Sequence, residues 1–170
     1  MPDQDINRIR GIIWISFWLL LLGFSVYLFQ IWIDKERNPN SNPQTSSAGD
    51  VRQVVLKRNR QGHYVTTGFI NGSQLEFLLD TGATDISIPQ HIAEKIGLKK
   101  LYPIEIYTAN GIAKAYGTKI KSASIGEIVL HDLKASINPN VDDDTVLLGM
   151  NFLKRIEFTQ RGDTLILKQY

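Results

Sequence analysis

An uninterrupted apolar run lies close to the start of the chain. Residues 11–33, GIIWISFWLLLLGFSVYLFQIWI, contain no charged side chain. As a helix rising about 1.5 Å per residue, this run measures about 34 Å, which is enough to cross a hydrocarbon core of about 30 Å. Trp14 and Trp18 lie near one end and Trp32 near the other, where interfacial aromatic residues are expected. The pattern predicts a transmembrane helix over 11–33 after a short tail, residues 1–10.

A cleaved signal peptide is the alternative for this segment. The apolar region of such peptides usually spans about 7–15 residues and is followed by a small-residue cleavage site, and neither condition is met here. Arg8 and Arg10 precede the run, and Lys35 and Arg37 follow it, so positive charge does not decide the orientation. We expect the short tail on the cytoplasmic side and the rest of the chain on the other side.

The apolar run ends at residue 33, and the pattern of apolar and polar residues changes after it. Residues 34–50 are polar and contain proline, which predicts a flexible linker. From residue 51 onward, short β-prone runs alternate with turn residues, and the domain is therefore predicted over 51–170 as an all-β closed barrel or sandwich. The predicted strands are 51–58, 63–70, 74–80, 85–89, 103–109, 112–126, 127–137, 145–149 and 163–170.

Turns and short helices separate these strands. The Asn-Gly pairs at 71–72 and 110–111 predict hairpin turns, because both residues tolerate the positive φ that a type I′ turn requires. A short helix is predicted over 90–98, directly after Pro89. Residues 150–156 predict one further helical turn or two.

Composition and charge exclude several classes of protein. The chain of 170 residues is 43% apolar and 21% charged with a net charge of +2, which gives no support for a nucleic-acid partner. It has no cysteine, which excludes disulfides, thiolate metal sites and a cysteine nucleophile. His63, His91 and His131 lack metal-ligand spacing, and the acids at 142–144 lack the pattern of a calcium loop. We therefore expect neither a metal nor an organic cofactor.

One carboxylate is unusual in its position. Asp80 ends the apolar strand that closes on Phe77-Leu78-Leu79, and Thr-Gly-Ala follows it. Burial of an unpaired carboxylate is costly, so a residue placed here either caps its own turn or does chemistry. The local pattern leaves both interpretations open.

The wider pattern resembles the active-site segments of retropepsin-like aspartic proteases. Two apolar residues precede Asp-Thr-Gly-Ala at 80–83, as in the catalytic loop of that family. The hairpin at 107–117 follows where the family has its flap. Residues 146–153, VLLGMNFL, resemble the segment that the family threads behind the catalytic loop. The resemblance covers nearly all of 51–170 and is closest to bacterial retropepsin-like proteases with an N-terminal membrane anchor, on a fold with one or two short helices.

The resemblance also implies a role for particular residues. Asp80 would be the catalytic carboxylate, and Thr81 and Gly82 would support the active-site loop, Thr81 by bonding across to the partner loop. The residues implied in substrate binding are Ala83, Thr84, Ala109, Asn110 and Gly111.

A single Asp-Thr-Gly implies a homodimer. Aspartic proteases use two carboxylates about 3 Å apart, which share one proton and activate a water molecule. This chain has one such motif, so the second carboxylate would come from another copy related by a twofold axis. The expected partners are a second copy, a peptide or protein substrate, and a membrane through 11–33. The run at 164–170 would either pair in the dimer sheet or form an ordinary edge strand.

Two departures and one alternative complete the prediction. Retroviral members pair an acid at the position of Thr84 with an arginine at that of Met150. Both are replaced together here, so no buried charge loses its partner.

We expect a bacterial inner-membrane location with a periplasmic domain. The alternative function is a non-catalytic dimerisation or peptide-binding module on the same fold.

Overall fold

The protein begins with one long helix. A computed structural model describes residues 2–108 and 111–170, and the chain divides into two compact units at Arg37 and Asn38. The first unit is helix α1, Pro2–Arg37. Its part Arg10–Arg37 is the one helix in the described chain that is long and apolar enough to cross a membrane. The helix extends beyond the predicted span at both ends, because the flanking Asp, Arg, Lys and Glu residues are compatible with a helix.

The described part of the second unit contains eleven strands and two short helices. In chain order they are β1 Gln44–Ala48, β2 Val51–Lys57, β3 Tyr64–Ile70, β4 Ser73–Leu79, β5 Ile86–Pro89, α2 Gln90–Lys95, β6 Tyr102–Thr108, β7 Gly111–Ile125, β8 Ile128–Asn138, β9 Thr145–Leu148, α3 Met150–Leu153, β10 Glu157–Arg161 and β11 Thr164–Gln169.

The strands form two sheets. The smaller has the order β1-β2-β11-β10, and the larger has the order β3-β4-β9-β5-β8-β7-β6, with a further pairing of β3 to β7 that closes it. In the larger sheet β9 lies between β4 and β5, parallel to β4 and antiparallel to β5. The prediction of an all-β, closed domain is confirmed.

Alternating apolar residues build the core between these sheets. Val54 and Leu56 of β2 and Leu167 of β11 are fully buried, and they pack with Phe77 of β4 and Phe152 of α3. Their intervening neighbours on β2 and β11 are more exposed, which is the period of two that a half-buried strand shows. Because strand period and burial agree, the register of the smaller sheet is fixed.

The predicted turn at 71–72 is confirmed. Asn71 and Gly72 have φ of 51° and 86°, and they connect Ile70 of β3 to Ser73 of β4. The predicted helix over 90–98 is shorter, since it ends at Lys95, and Gly97 at φ 72° then terminates it. Such a left-handed glycine after a helix satisfies the last carbonyls of that helix.

The prediction of a flexible linker over 34–50 differs from the structure. The helix continues to Arg37, and β1 pairs with β2 throughout its length. Asn40 is only 3% exposed: its Nδ2 donates to the carbonyls of Lys57 and Val65 at 2.9 and 2.7 Å, and its Oδ1 accepts from the Lys57 N–H at 2.7 Å. These hydrogen bonds replace apolar burial, which is why the hydropathy pattern shows no folded segment here.

The C-terminal strand also differs from expectation. β11 lies inside the smaller sheet, with β2 on one side and β10 on the other. It is therefore neither an edge strand nor a free terminus that awaits a partner copy. The sequence did not predict β10, because all five of its residues are exposed and only one is apolar.

Candidate active site

Asp80 opens the loop that joins β4 to β5. Its backbone N–H donates to the carbonyl of Leu148 in β9 at 3.2 Å, which fixes the loop to the strand beside it. Its Oδ1 accepts a hydrogen bond from the Gly82 N–H at 2.8 Å, and its side chain is half-buried. Both interpretations of Asp80 are therefore compatible with the geometry: the side chain caps its own turn and still faces outward at the end of a strand.

The segment from β9 to α3 packs against this loop and forms hydrogen bonds with its backbone. The Met150 N–H donates to the Ala83 carbonyl at 2.8 Å, and the Asn151 N–H donates to the Thr84 carbonyl at 2.9 Å. A Cβ on Gly149 would lie 2.4 Å from the carbonyl oxygen of Asp85, so this approach requires glycine. Two stretches distant in sequence thus share one backbone network at the predicted catalytic aspartate.

Most of the predicted site residues come together in this loop. Thr81, Gly82 and Thr84 are exposed, and Ala83 is half-buried. A Cβ on Gly82 would lie 3.1 Å from Oδ1 of Asp80, so glycine permits the close approach of backbone to carboxylate. The loop is therefore a compact unit built around Asp80.

The predicted flap lies on the β6–β7 hairpin. Gly111 is the first residue of β7, opposite Thr108 in the register, and has a φ of 109°. Ala109 and Asn110, the two other flap residues that the sequence predicts, lie outside the described residues. The hairpin itself is present, with Tyr102 of β6 facing Gly117 of β7 at its base.

Gly149 and Asn151 are functional candidates that the sequence prediction included only as part of the segment 146–153, without an individual role. Besides its backbone bond to the loop, Asn151 donates from Nδ2 to the Lys134 carbonyl of β8 at 2.6 Å. This bond connects α3 to the sheet on the far side of β5. In the sequence, both residues are marked only by lying inside 146–153, the segment that resembles the one behind the catalytic loop of the family.

Polar side chains connect the strand before Asp80 to its surroundings. Glu76 of β4 accepts hydrogen bonds from Asn38 at 3.1 Å and from the Thr145 hydroxyl of β9 at 3.3 Å. The same hydroxyl lies 3.2 Å from an Asp143 carboxylate oxygen, so its single proton can bond to either carboxylate. Across residues 2–108 and 111–170, no group of three His, Cys, Asp or Glu side chains could hold a metal ion.

Comparisons with known proteins agree with this architecture. The sequence model of the family described as "gag-polyprotein putative aspartyl protease" matches residues 66–155. A crystal structure of a retropepsin-like aspartic protease from Rickettsia conorii is 32% identical with a TM-score of 0.57, covering 75% of this chain and 94% of that one.

Two curated relatives are uncharacterized proteins. One, from the cobV 5′ region of Sinorhizobium sp, is 37% identical over 128 residues, which are 73% of this chain and 54% of that protein. The other, from Rickettsia prowazekii (strain Madrid E), is 33% identical over 129 residues, 74% of this chain and 55% of that protein. The chain thus spans about half the length of the curated relatives it matches. The family match, the fold and the braced Asp-Thr-Gly loop together show that this chain belongs to the bacterial retropepsin-like aspartic proteases.

Proposed function

We propose that this protein is a membrane-anchored aspartic endopeptidase that works as a homodimer, with Asp80 of each copy forming the catalytic pair. The observation that carries the proposal is the bracing of the Asp80 loop by the backbone of Gly149–Asn151. A turn that only needed a cap would be satisfied by the Gly82 N–H. A second, tightly packed chain segment behind the loop is what a rigid catalytic carboxylate requires.

The chemistry follows from two carboxylates at one site. The ionised member takes a proton from a bound water molecule while the protonated member polarises the scissile carbonyl, so the water oxygen bonds to the carbonyl carbon and a tetrahedral intermediate forms. One carboxyl proton then passes to the amide nitrogen, the C–N bond breaks to release an amine and a carboxylic acid, and the pair is left sharing one proton. Asp80 occupies a strand end, where its carboxylate can meet a copy of itself. Within the described residues its Oδ2 has no hydrogen-bond partner, so one oxygen is available for water or for the second carboxylate.

The supporting roles are proposed in the same way. Thr81 is exposed beside Asp80, and its hydroxyl would bond across to the loop of the partner copy. Ala83 and Thr84 would line the cleft, and the β6–β7 hairpin with Ala109, Asn110 and Gly111 would cover an extended peptide. Such a peptide gains main-chain hydrogen bonds from the flap and the loop.

The membrane part of the proposal rests on α1. Its apolar stretch is long enough to span a bilayer, and we propose a bacterial inner-membrane anchor with the protease domain in the periplasm. Because the chain has no native cysteine, Ser47→Cys supplies a single exposed thiol on β1. Labelling of this thiol in intact cells by a maleimide that crosses only the outer membrane tests the orientation.

Replacement of the catalytic carboxylate tests the activity. We expect Asp80→Asn in the full chain to abolish cleavage of a mixed peptide library, because an amide can neither accept the proton from water nor share one with a partner. The matched control is Asp85→Asn, which removes an exposed acid from the same loop. It should leave the cleavage rate within about twofold, since surface substitutions rarely disturb a fold.

The two outcomes separate the proposal from its alternative. Cleavage that is lost in Asp80→Asn and retained in Asp85→Asn supports the endopeptidase. Cleavage unchanged in Asp80→Asn would assign the activity to other residues or to a contaminant. Peptide binding without cleavage in the wild type would instead favour a non-catalytic peptide-binding module.

A further inference from the structure

The smaller sheet is complete within one chain, and one of its edges is self-complementary. Its order β1-β2-β11-β10 leaves β1 and β10 as the outer strands of the described residues. All residues of both strands are exposed. This sheet therefore needs no strand from a second copy to be filled, and any contact between copies through it uses an edge.

The charges of β10 are complementary to those of a second copy of β10 in the antiparallel orientation. Its residues are Glu157, Phe158, Thr159, Gln160 and Arg161. Antiparallel pairing of two such strands about Thr159 places Glu157 of each copy opposite Arg161 of the other. Opposite charges directly across an antiparallel pair stabilise it.

The backbone of β10 fits the same register. Arg161 and Thr164 flank a tight turn at 162–163, and pairs next to such a turn exchange hydrogen bonds. Backbone hydrogen bonding alternates from residue to residue along the strand. The N–H and C=O groups that point toward β11 are therefore those of Glu157, Thr159 and Arg161. Phe158 and Gln160 direct theirs toward the free edge. Pairing about Thr159 brings Phe158 opposite Gln160 of the other copy, where these outward groups bond reciprocally.

The other edge has no comparable signal. β1, with the sequence QTSSA, carries no charged residue. Glu157 is in addition held in place by its own chain, because the Tyr170 hydroxyl donates to its Oε2 at 2.7 Å. The other carboxylate oxygen of Glu157 has no hydrogen-bond partner among the described residues.

In the chain, β10 follows the segment that is hydrogen-bonded to the candidate site. The backbone of 149–151 is bonded to the Asp80 loop, and β10 begins at Glu157, shortly after α3. From these observations we infer that two copies pair along β10, with Thr159 on the twofold axis, as one contact of the catalytic dimer. The inference rests on the proposed function, since it specifies the surface through which that dimer forms.

A single cysteine tests this register directly. In the full chain in detergent micelles, Thr159→Cys places two thiols on the axis, where opposite Cα atoms of a non-bonded pair are about 4.5 Å apart and a disulfide can form. The matched control is Ser46→Cys, the central residue of β1, which has the same relation to its own tight turn. We expect disulfide-linked dimers under mild oxidation from Thr159→Cys and not from Ser46→Cys.

Charge reversal provides a second measurement. Glu157→Arg or Arg161→Glu alone should raise the dimer dissociation constant about tenfold, since each change affects two symmetric contacts. The double variant should restore the dimer. Tyr170→Phe serves as the control for loss of the intrachain bond to Glu157, and the melting temperature checks that each variant folds.

The outcomes distinguish this inference from the proposed function. Cross-linking through Ser46→Cys in place of Thr159→Cys, or a double charge variant no better than the single ones, would overturn the β10 pairing. If peptide cleavage and dimers persist in that case, the proposed function stands. A protein that is monomeric and without peptidase activity at every concentration would overturn both.

Discussion

Gly149 is the residue at which the candidate site has the least room. Its missing Cβ would lie 2.4 Å from the Asp85 carbonyl and 2.6 Å from that of Ala83, and both are backbone atoms. We expect Gly149→Ala to lower the free energy of unfolding by about 1–3 kcal/mol, as overpacking does, and to lower peptide cleavage further by displacing the Asp80 loop.

Urea denaturation followed by circular dichroism measures the first effect. The control is Gly23→Ala in α1, where an added Cβ meets no atom within 4 Å. A Gly149→Ala variant as stable and as active as the wild type would show that the loop is not packed as described.

At the C-terminus, Tyr170 reports on the charge of β10. Its hydrogen bond to Glu157, followed by desolvation and the negative charge of that carboxylate, raises the pKa of the Tyr170 hydroxyl above its ordinary value of 10.0. The phenol therefore keeps its proton to higher pH than a free tyrosine. The interaction is present below the ordinary pKa and is lost as the pH rises through the raised pKa.

Glu157→Ala should return this pKa to the ordinary value. The measurement is an ultraviolet difference titration of each protein against its Tyr170→Phe counterpart, which isolates this phenol from the five other tyrosines, six being present in all. A titration midpoint that is the same with and without Glu157 would contradict the contact.

At the scale of elements, the segment before β2 is a structural part of the domain. Asn40 satisfies both backbone groups of Lys57 and the carbonyl of Val65. We expect Asn40→Ala to lower the free energy of unfolding by about 3 kcal/mol or more, because several buried polar groups lose their partners. Asn42→Ala, at an exposed neighbouring position, should change it by about 0.5 kcal/mol or less. Equal effects of the two substitutions would refute the proposed role of Asn40.

The elements that the sequence predicted are those whose stability comes from apolar alternation or from turn chemistry. β2, β3, β4 and the turn at Asn71 and Gly72 have such signals, and all are present in the structure. β1 and β10 lack them, because both are exposed edge strands whose hydrogen bonds depend on the strand beside them. Polar edge strands of this kind are specified by tertiary context rather than by local pattern.

In the candidate site, too, some features have a local sequence signal and others depend on tertiary contacts. Asp80 could be predicted from its motif and its position at a strand end. The family resemblance also predicted that 146–153 lies behind this loop. The individual contacts of Gly149 could not be predicted, because they depend on how closely the backbones approach where β9 lies between β4 and β5. The predicted linker failed for a related reason, since the buried amide of Asn40 resembles an ordinary loop asparagine in the sequence.

For the whole molecule, an anchor that confines two copies to one surface should favour their pairing. Restricting motion to a membrane raises the effective concentration of one domain for another. We expect the full chain in lipid vesicles to reach half of its maximal specific activity at a much lower total concentration than the same chain in excess detergent micelles. Varying the protein-to-lipid ratio at fixed protein measures this, and a specific activity independent of that ratio would argue against a reversible dimer.

The interior position of β11 has a consequence for how the proposed homodimer would be controlled. A strand already held by β2 and β10 of its own chain allows each copy to fold before it meets another. Folding and assembly would then be separate events, and under the proposed homodimer a newly made copy would be folded but inactive until it pairs. At low abundance the number of active pairs rises with the square of the amount of protein, so a modest change in expression produces a disproportionate change in proteolysis. Under the proposed homodimer, proteolysis would then respond to the abundance of the chain itself.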